Sequence, residues 1–342
     1  MSSNPVFEQK LAATWPTDRW AEVGVLVAVS GGPDSVALVH ALRRLNPQAS
    51  LTVAHFNHGW RPEAGLADQR FVEGLCDSLG TACQVGKGES PPGESPGSRE
   101  AAAREARYAF LLEVAHRVGA RYVVTGHTAD DQAETILHHI LRGTGLAGLA
   151  GMRRVRVLSP AVSLVRPLLG LGRAEVLEYL HAIGQDFRQD ETNADTSLTR
   201  NRIRRELLPL LERDYAPGVV EALLRLGNVA GDAQRLIESQ AEALLDRALV
   251  VRDPRRVEID CRALDGTDRH LVREMFVAVW RGQNWPRQAM GLHEWNQLAE
   301  LALTEEANPT PLQQLPLAIS ARRQEARLVL SGPARNCGPF HA

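Results

Sequence analysis

The stretch Val23 to Ser35, VGVLVAVSGGPDS, decides the fold. Val23 to Val29 is a continuous apolar run bounded by turn residues, the pattern of a strand buried in a parallel sheet. Ser30-Gly31-Gly32-Pro33-Asp34-Ser35 follows at once, and SVALVHALRRL then has helical spacing. A strand, turn and helix of this kind can cradle phosphate. Ser30, Gly31 and Gly32 let backbone N–H groups turn inward around an anion. Pro33 suits the first helical position, where its missing N–H costs nothing. The helix N-terminus then faces the anion with its partial positive charge. Asp34 is not there to attract phosphate; a carboxylate in that place points to Mg2+. Without a ligand the six residues would be a capped turn, but the flanking strand and helix weigh for a phosphate site. G-x-x-x-x-G-K-[ST] does not occur, so this is not a Walker A loop.

Outward from this stretch, strand and helix alternate. Leu51 to Asn57 reads as a second strand, ADQRFVEGLCDSLG as a helix ending at Gly80, and TACQV as a third strand. Ser98 to Val118 has helical spacing, Arg121 to Thr125 reads as a fourth strand, and Thr128 to Arg142 as a helix stopped by Gly143. This order predicts an α/β fold: a doubly wound, mostly parallel sheet with right-handed crossovers. Gly86 to Gly97 is a Pro/Gly/Ser/Glu loop apart from Lys87. Around Asp214 to Gly218 the composition shifts. Helical patterns follow at Val219 to Leu249, Leu264 to Arg281 and Gln288 to Leu303. VVRDPRRVEID looks like a hairpin, and LPLAIS and ARLVLS look like two short strands. We therefore expect an α/β domain over 1–215. A smaller, mostly helical domain with short terminal strands is expected over 216–342.

Composition excludes several classes. With 342 residues, 44% apolar and 23% charged, the chain can bury a core and is not wholesale disordered. No apolar run reaches the ~18 residues of a membrane span, and no cationic segment precedes an apolar one at the N-terminus. The four cysteines make no C-x-x-C pair, against a disulfide framework, structural zinc or a cysteine-held cluster. The expectation is a cytoplasmic protein with no membrane partner. Net charge is −2, yet only Lys10 and Lys87 of the 39 basic residues are lysine. Arginine suits phosphate and base contacts, but a GC-rich genome gives the same bias, so only local clusters count.

Two clusters stand out. In Gly126-His127-Thr-Ala-Asp130-Asp131-Gln-Ala-Glu134 three carboxylates fall in the first two turns of a helix. They would lie at the carboxyl edge of the sheet, where α/β ligands bind. Acids there also complement the helix dipole; three of them, after Gly-His, weigh for Mg2+ or a cationic substrate. Arg200, Arg202, Arg204 and Arg205 in TRNRIRREL form a basic cluster. It is either a solvated face paired with Glu206 and Glu212 or an RNA contact; Arg153, Arg154 and Arg156 are a weaker patch. His55-x-x-His58 has a metal-pair spacing without an evident third ligand, and lining a nucleotide pocket suits it better. Gly143-Thr-Gly145-Leu-Ala-Gly148 matches G-x-G-x-x-G but follows a helix, so the dinucleotide context is missing.

Taken together, SGGPDS, HFNHGWRPEA, the REARY segment Arg104 to Tyr108, GHTADDQAET, VRPLL (Val165 to Leu169) and DETNADTSLTRNRIRRELLP (Asp190 to Pro209) resemble the PP-loop family of N-type ATP pyrophosphatases. Within that family they look like the tRNA(Ile)-lysidine synthases, in a reduced form without the extra C-terminal domain of longer members. The resemblance implies a C–N ligase that splits ATP into AMP and diphosphate. It would adenylate the wobble cytidine of a CAU-anticodon tRNA(Ile), and the ε-amine of L-lysine would then attack C2, giving lysidine and AUA decoding. Ser30, Gly31, Gly32, Pro33, Asp34 and Ser35 would bind the ATP phosphates, Asp34 also holding Mg2+. His55 and Asn57 would line the nucleotide pocket. Arg107 and His127 would contact phosphates or the activated intermediate, and Asp131 and Glu134 would recognise the lysine with Asp130 nearby. The arginine cluster would meet tRNA or ATP, residues 1–215 would be the ATP-binding catalytic domain and 216–342 the tRNA substrate-binding domain, and a homodimer is compatible with this reading. The rivals are a tRNA cytidine thiolase, a non-catalytic tRNA-binding protein on the same fold, and an ammonia-using synthetase. The missing cysteine spacing speaks against the first and the intact loop against the second; the third would need no RNA surface.

Overall fold

The structure is a computed structural model that describes residues 5–60, 62–88, 96–188, 199–304 and 312–333, without the side chains of 62 and 96–100. The described residues form two compact units, Met1–Ala230 and Gly231–Ala342.

The first unit is built on six strands: β1 (Gly24–Ala28), β2 (Leu51–Asn57), β3 (Ala82–Lys87), β4 (Ala120–Thr125), β5 (Val155–Val157) and β6 (Ser163–Val165). Their order is β3-β2-β1-β4-β6-β5. Every pairing is parallel except β5 with β6. Strands β5 and β6 go beyond the four expected. At three residues each they are too short to leave a periodic signal in the sequence. The helices are α1 (Val6–Thr14), α2 (Pro33–Leu45), α3 (Pro62–Ser78), α4 (Pro96–Arg117), α5 (Ala129–Arg142), α6 (Leu146–Leu149) and α7 (Arg173–Ala182). Then come α8 (Thr199–Arg202), a π-helical turn (Ile203–Leu207), α9 (Leu208–Asp214) and α10 (Val219–Ala248). Pro209 has no N–H to offer Arg205, which accounts for the widened turn just before it.

Alternation along β1 explains the layering. Val25, Val27 and Val29 join a core with Leu38 and Leu42 of α2, Leu11 of α1, and Val176 and Leu180 of α7. Each such fully buried side chain contributes about 1.5–3 kcal/mol. Helix α4 packs on β1, β2 and β4. The chain runs outward from β1 to β2 and β3, then returns to place β4 on the other side of β1. The sheet therefore has its switch point between the carboxyl ends of β1 and β4, where open α/β sheets bind ligands.

The second unit carries β7 (Leu249–Asp253), β8 (Arg256–Asp260), β9 (Gln313–Leu315), β10 (Ile319–Gln324) and β11 (Arg327–Ser331), with α11 (Arg269–Gln283) and α12 (Leu292–Leu303). The sheet is antiparallel in the order β7-β8-β11-β10-β9, and Trp280 is fully buried in the core. The expected hairpin is β7–β8, and ARLVLS holds β11. LPLAIS is not a strand. Leu317 and Ala318 take left-handed backbone (φ 61° and 58°), so the segment is the turn that joins β9 to β10.

The boundary between the units falls inside α10, later in the chain than residue 215. Most of the Gly86 to Gly97 loop (89–95) and most of the stretch from Asp190 (189–198) lie outside the described residues.

Candidate active site

The loop after β1 is wired by its own serines. Ser30 N donates to Ser35 Oγ (3.2 Å), Ser35 Oγ donates to Gly32 O (2.9 Å), and Gly32 N donates to Ser30 Oγ (3.3 Å). Gly31 stands at φ 92°, and its carbonyl accepts from Arg188 N at 2.9 Å. Gly32 is the N-cap of α2 and Pro33 its first residue, as expected. Gly126, after β4, comes so close that an added Cβ would lie 2.9 Å from the Asp34 carbonyl. Only glycine lets these two strand ends converge.

They converge on an open pocket of about 360 Å3. Of the anticipated residues Ser30, Gly32, Asp34, Ser35, His55, Asn57, Arg107 and His127 line it, joined by His58 and Trp60. Gly31 and Pro33 shape the loop from behind. His55 Nδ1 donates to the Val29 carbonyl (2.9 Å), since a carbonyl oxygen can only accept. Burial, then Arg107 and His55, hold His58 down at about 4. His127 is lowered to about 3, by burial first; Asp131 opposes this, and Arg166, Arg107 and Arg104 add to it. Both rings are neutral at pH 7, so His127 can hydrogen-bond an oxyanion but is a poor general base. Its Nδ1 lies 2.9 Å from Thr125 Oγ1.

Asp34 is the strained group of the site. Burial pushes its carboxyl up to about 6, against the pull of Arg173. Oδ2 meets Arg173 Nη1 at 3.3 Å, while Oδ1 is buried with no hydrogen-bond partner. An orphaned carboxylate oxygen beside a phosphate loop fits a divalent cation shared with phosphate oxygens. Among the described residues no group of three or more His, Cys, Asp or Glu could hold a metal ion.

The acidic stripe lies next to this pocket, close enough that Asp131, Arg204 and Asp130 all act on the Asp34 carboxyl. Glu134 is 1% exposed. Arg204 pairs with it through Nε, and Arg204 Nη2 bridges Glu134 Oε2 (3.0 Å) and Asp131 Oδ1 (2.8 Å). Arg200 Nε adds a contact to Glu134 at 3.3 Å. Burial raises the Glu134 carboxyl in spite of Arg204. The other oxygen of Asp131 caps α5, accepting from Thr128 N (2.9 Å) and Thr128 Oγ1 (3.2 Å). Asp130 accepts from Arg173 N at 2.7 Å and so ties α5 to α7.

The arginine cluster therefore divides. Arg200 and Arg204 turn inward onto the acids. Arg202 is exposed and reaches Glu206 at 3.9 Å, and Arg205 is also exposed. Glu212 instead accepts from Gly218 N and Val219 N. Sequence reasoning missed Arg173 and Arg188, and nothing in their local sequence marks them. Gly143 (φ 74°) is the C-cap of α5, in keeping with a helix stop.

The Ser30–Ser35 loop, the pocket it lines and the acidic stripe beside that pocket lie at the switch point of a parallel sheet, and residues 4–211 match the PP-loop domain family, so the chain is a PP-loop protein. The chain is 34% identical over 331 residues to the tRNA(Ile)-lysidine synthase of Rhodopirellula baltica, covering 85% of this chain and 83% of that protein. It is 44% identical over 265 residues to the tRNA(Ile)-lysidine synthase of Geobacter sulfurreducens, covering 76% of this chain and 54% of that protein. This chain belongs to the tRNA(Ile)-lysidine synthase family. Among solved structures it resembles the U34-tRNA thiolase NcsA of Methanococcus maripaludis with its 4Fe-4S cluster, at TM-score 0.53 and 18% identity over 66% of this chain and 77% of that one, a likeness of fold alone. Among the described residues no helix is long and apolar enough to cross a membrane.

Proposed function

We propose that this chain is a cytoplasmic ligase that joins L-lysine to C2 of the wobble cytidine of a CAU-anticodon tRNA(Ile), with ATP converted to AMP and diphosphate. The observation that carries this reading is the pair formed by half-buried Asp131 and fully buried Glu134, which holds a guanidinium beside the phosphate loop. Such a pair selects a cation. The lysine ammonium is the cation this chemistry needs, and it would meet these carboxylates by sharing or displacing the Arg204 fork.

The loop Ser30–Ser35 and the first turn of α2 would bind the phosphates through N–H groups that the helix leaves unpaired. Arg107 and neutral His127 would face the reacting phosphate. Asp34 would hold Mg2+, which supplies charge neutralisation for the departing diphosphate. Cytidine O2 attacks the α phosphorus and diphosphate leaves; the lysine ammonium gives up one proton to solvent or a neighbouring carboxylate, the free amine Nζ attacks C2, and the C2–O bond breaks as AMP leaves. A base in an anticodon loop can be splayed into such a pocket at little cost. We assign the ATP chemistry to the first unit and tRNA selection to the second. Within the second, Arg323 serves structure, donating to the Leu301 and Ala302 carbonyls, whereas Arg322 is exposed.

The test is incubation of the purified chain with radiolabelled lysine, ATP and a CAU-anticodon tRNA(Ile) transcript. Incorporation of label with stoichiometric AMP is expected. tRNA binding without AMP would establish the non-catalytic alternative. ATP turnover without tRNA would point to a small-molecule synthetase.

A further inference from the structure

Beside the nucleotide pocket, Tyr108 of α4 sits among four arginines. The guanidinium carbons of Arg104, Arg156 and Arg107 lie 5.2, 5.4 and 5.6 Å from its ring centroid, within cation–π reach. Arg166, 3% exposed, completes the group. Burial raises the Tyr108 hydroxyl, but Arg104, Arg166 and Arg107 outweigh it and the net effect is a lowering.

Among the described residues none of the four arginines pairs with Asp or Glu, while Arg173, Arg188, Arg200 and Arg204 all do. Arg166 donates one N–H to the Arg153 carbonyl at 2.7 Å. The Nε atoms of Arg156 and Arg166 are buried without a partner, and the buried Tyr108 hydroxyl faces the guanidiniums of Arg166 and Arg107. Four like charges and two orphaned N–H groups in one place are unfavourable for the fold alone. They suit an anion.

The position tells which anion. Arg107 lines the nucleotide pocket, but Arg104, Arg156, Arg166 and Tyr108 do not. The cluster thus begins at the pocket wall and leads outward to exposed Arg104. A ligand that reaches both must continue from the pocket to the surface, as a polynucleotide backbone does. Tyr108 is 4% exposed with arginines over its ring, so it spaces the guanidiniums and does not stack a base. We propose that Arg104, Arg156 and Arg166, arrayed around Tyr108, bind a backbone phosphodiester of the RNA next to the nucleotide being activated. This rests on the reading above that the substrate is an RNA.

The experiment uses the full chain with Arg104→Ala, Arg156→Ala and the double variant. Affinity for the CAU-anticodon tRNA(Ile) transcript is measured by fluorescence anisotropy across a series of KCl concentrations. Each lost phosphate contact should make the log–log salt slope shallower by about 0.7 to 1. Arg104→Lys should restore the slope, because the charge returns. KM for ATP at saturating tRNA should not change. Folded variants with the wild-type salt slope would overturn the proposal. So would an unchanged slope combined with a raised KM for ATP and weaker inhibition by pyrophosphate, which would assign the cluster to the ATP phosphates. Lysine incorporation by the wild type is measured in parallel. If it occurs while the slopes stay unchanged, this inference alone fails; if the wild type neither binds the transcript nor incorporates lysine, the functional reading fails as well.

Discussion

Asp34→Asn should stabilise the protein while it abolishes ATP turnover. Burial lifts the Asp34 carboxyl from 3.8 to about 6 in the folded chain. The folded state therefore holds this proton more tightly than the unfolded state. The stability Asp34 contributes is fully present below pH 3.8 and is lost as the pH rises through about 6. At about 1.4 kcal/mol per pH unit, the ionised group costs about 3 kcal/mol at neutral pH and above. Asparagine is neutral at every pH and close in shape, so it removes that cost. Arg173 loses a partner at 3.3 Å, but it is 46% exposed and stays hydrated. We expect Asp34→Asn to exceed the wild type by roughly 2–3 kcal/mol near pH 8, with the gap closing toward pH 4. The assay is urea unfolding of both proteins by tryptophan fluorescence in Mg2+-free buffers across that range. The second unit is common to both, so their difference reports the first. A gap that is flat with pH, or a wild type that is the more stable at pH 8, would refute the desolvation argument. AMP release near the wild-type rate would remove Asp34 from the phosphate site.

Asp131→Asn and Glu134→Gln should raise KM for lysine far more than KM for ATP, measured by lysine titration at saturating ATP and tRNA; unchanged lysine affinity in both would show that the pair serves only to anchor Arg204. Gly126→Ala should weaken ATP binding sharply, because its Cβ would lie 2.9 Å from the Asp34 carbonyl; isothermal titration with a non-hydrolysable ATP analogue reads this. A chain ending at 230 should keep ATP binding but lose discrimination between isoleucine and methionine CAU tRNAs in a binding competition. A chain ending at Asp214 should melt at a lower temperature than the one ending at 230, since Val219 and Leu223 of α10 pack against Leu137, Ile203 and Leu208.

Much of this molecule follows from local sequence. The run Val23 to Val29 is apolar throughout because β1 is central and buried on both faces, and that alone implies a covered parallel sheet. Ser30 to Ser35 specify a phosphate loop because glycine and proline dictate backbone geometry residue by residue. Asp131 and Glu134 were legible as candidates because three acids in two helical turns need a reason. The tertiary structure decided what these residues meet. Arg204 reaches Glu134 across 70 positions of chain; its i, i+4 spacing from Arg200 puts the two on one helical face, but only the packing of that face on α5 turns it toward the acids. Arg104, Arg156 and Arg166 come from separate elements and surround one tyrosine only after β6 has paired with β4. Asp34 is an ordinary carboxylate in the unfolded chain. Its raised pKa and its orphaned oxygen exist because two strand ends close over it and exclude water, and desolvation is a property of the assembled site rather than of any segment in it.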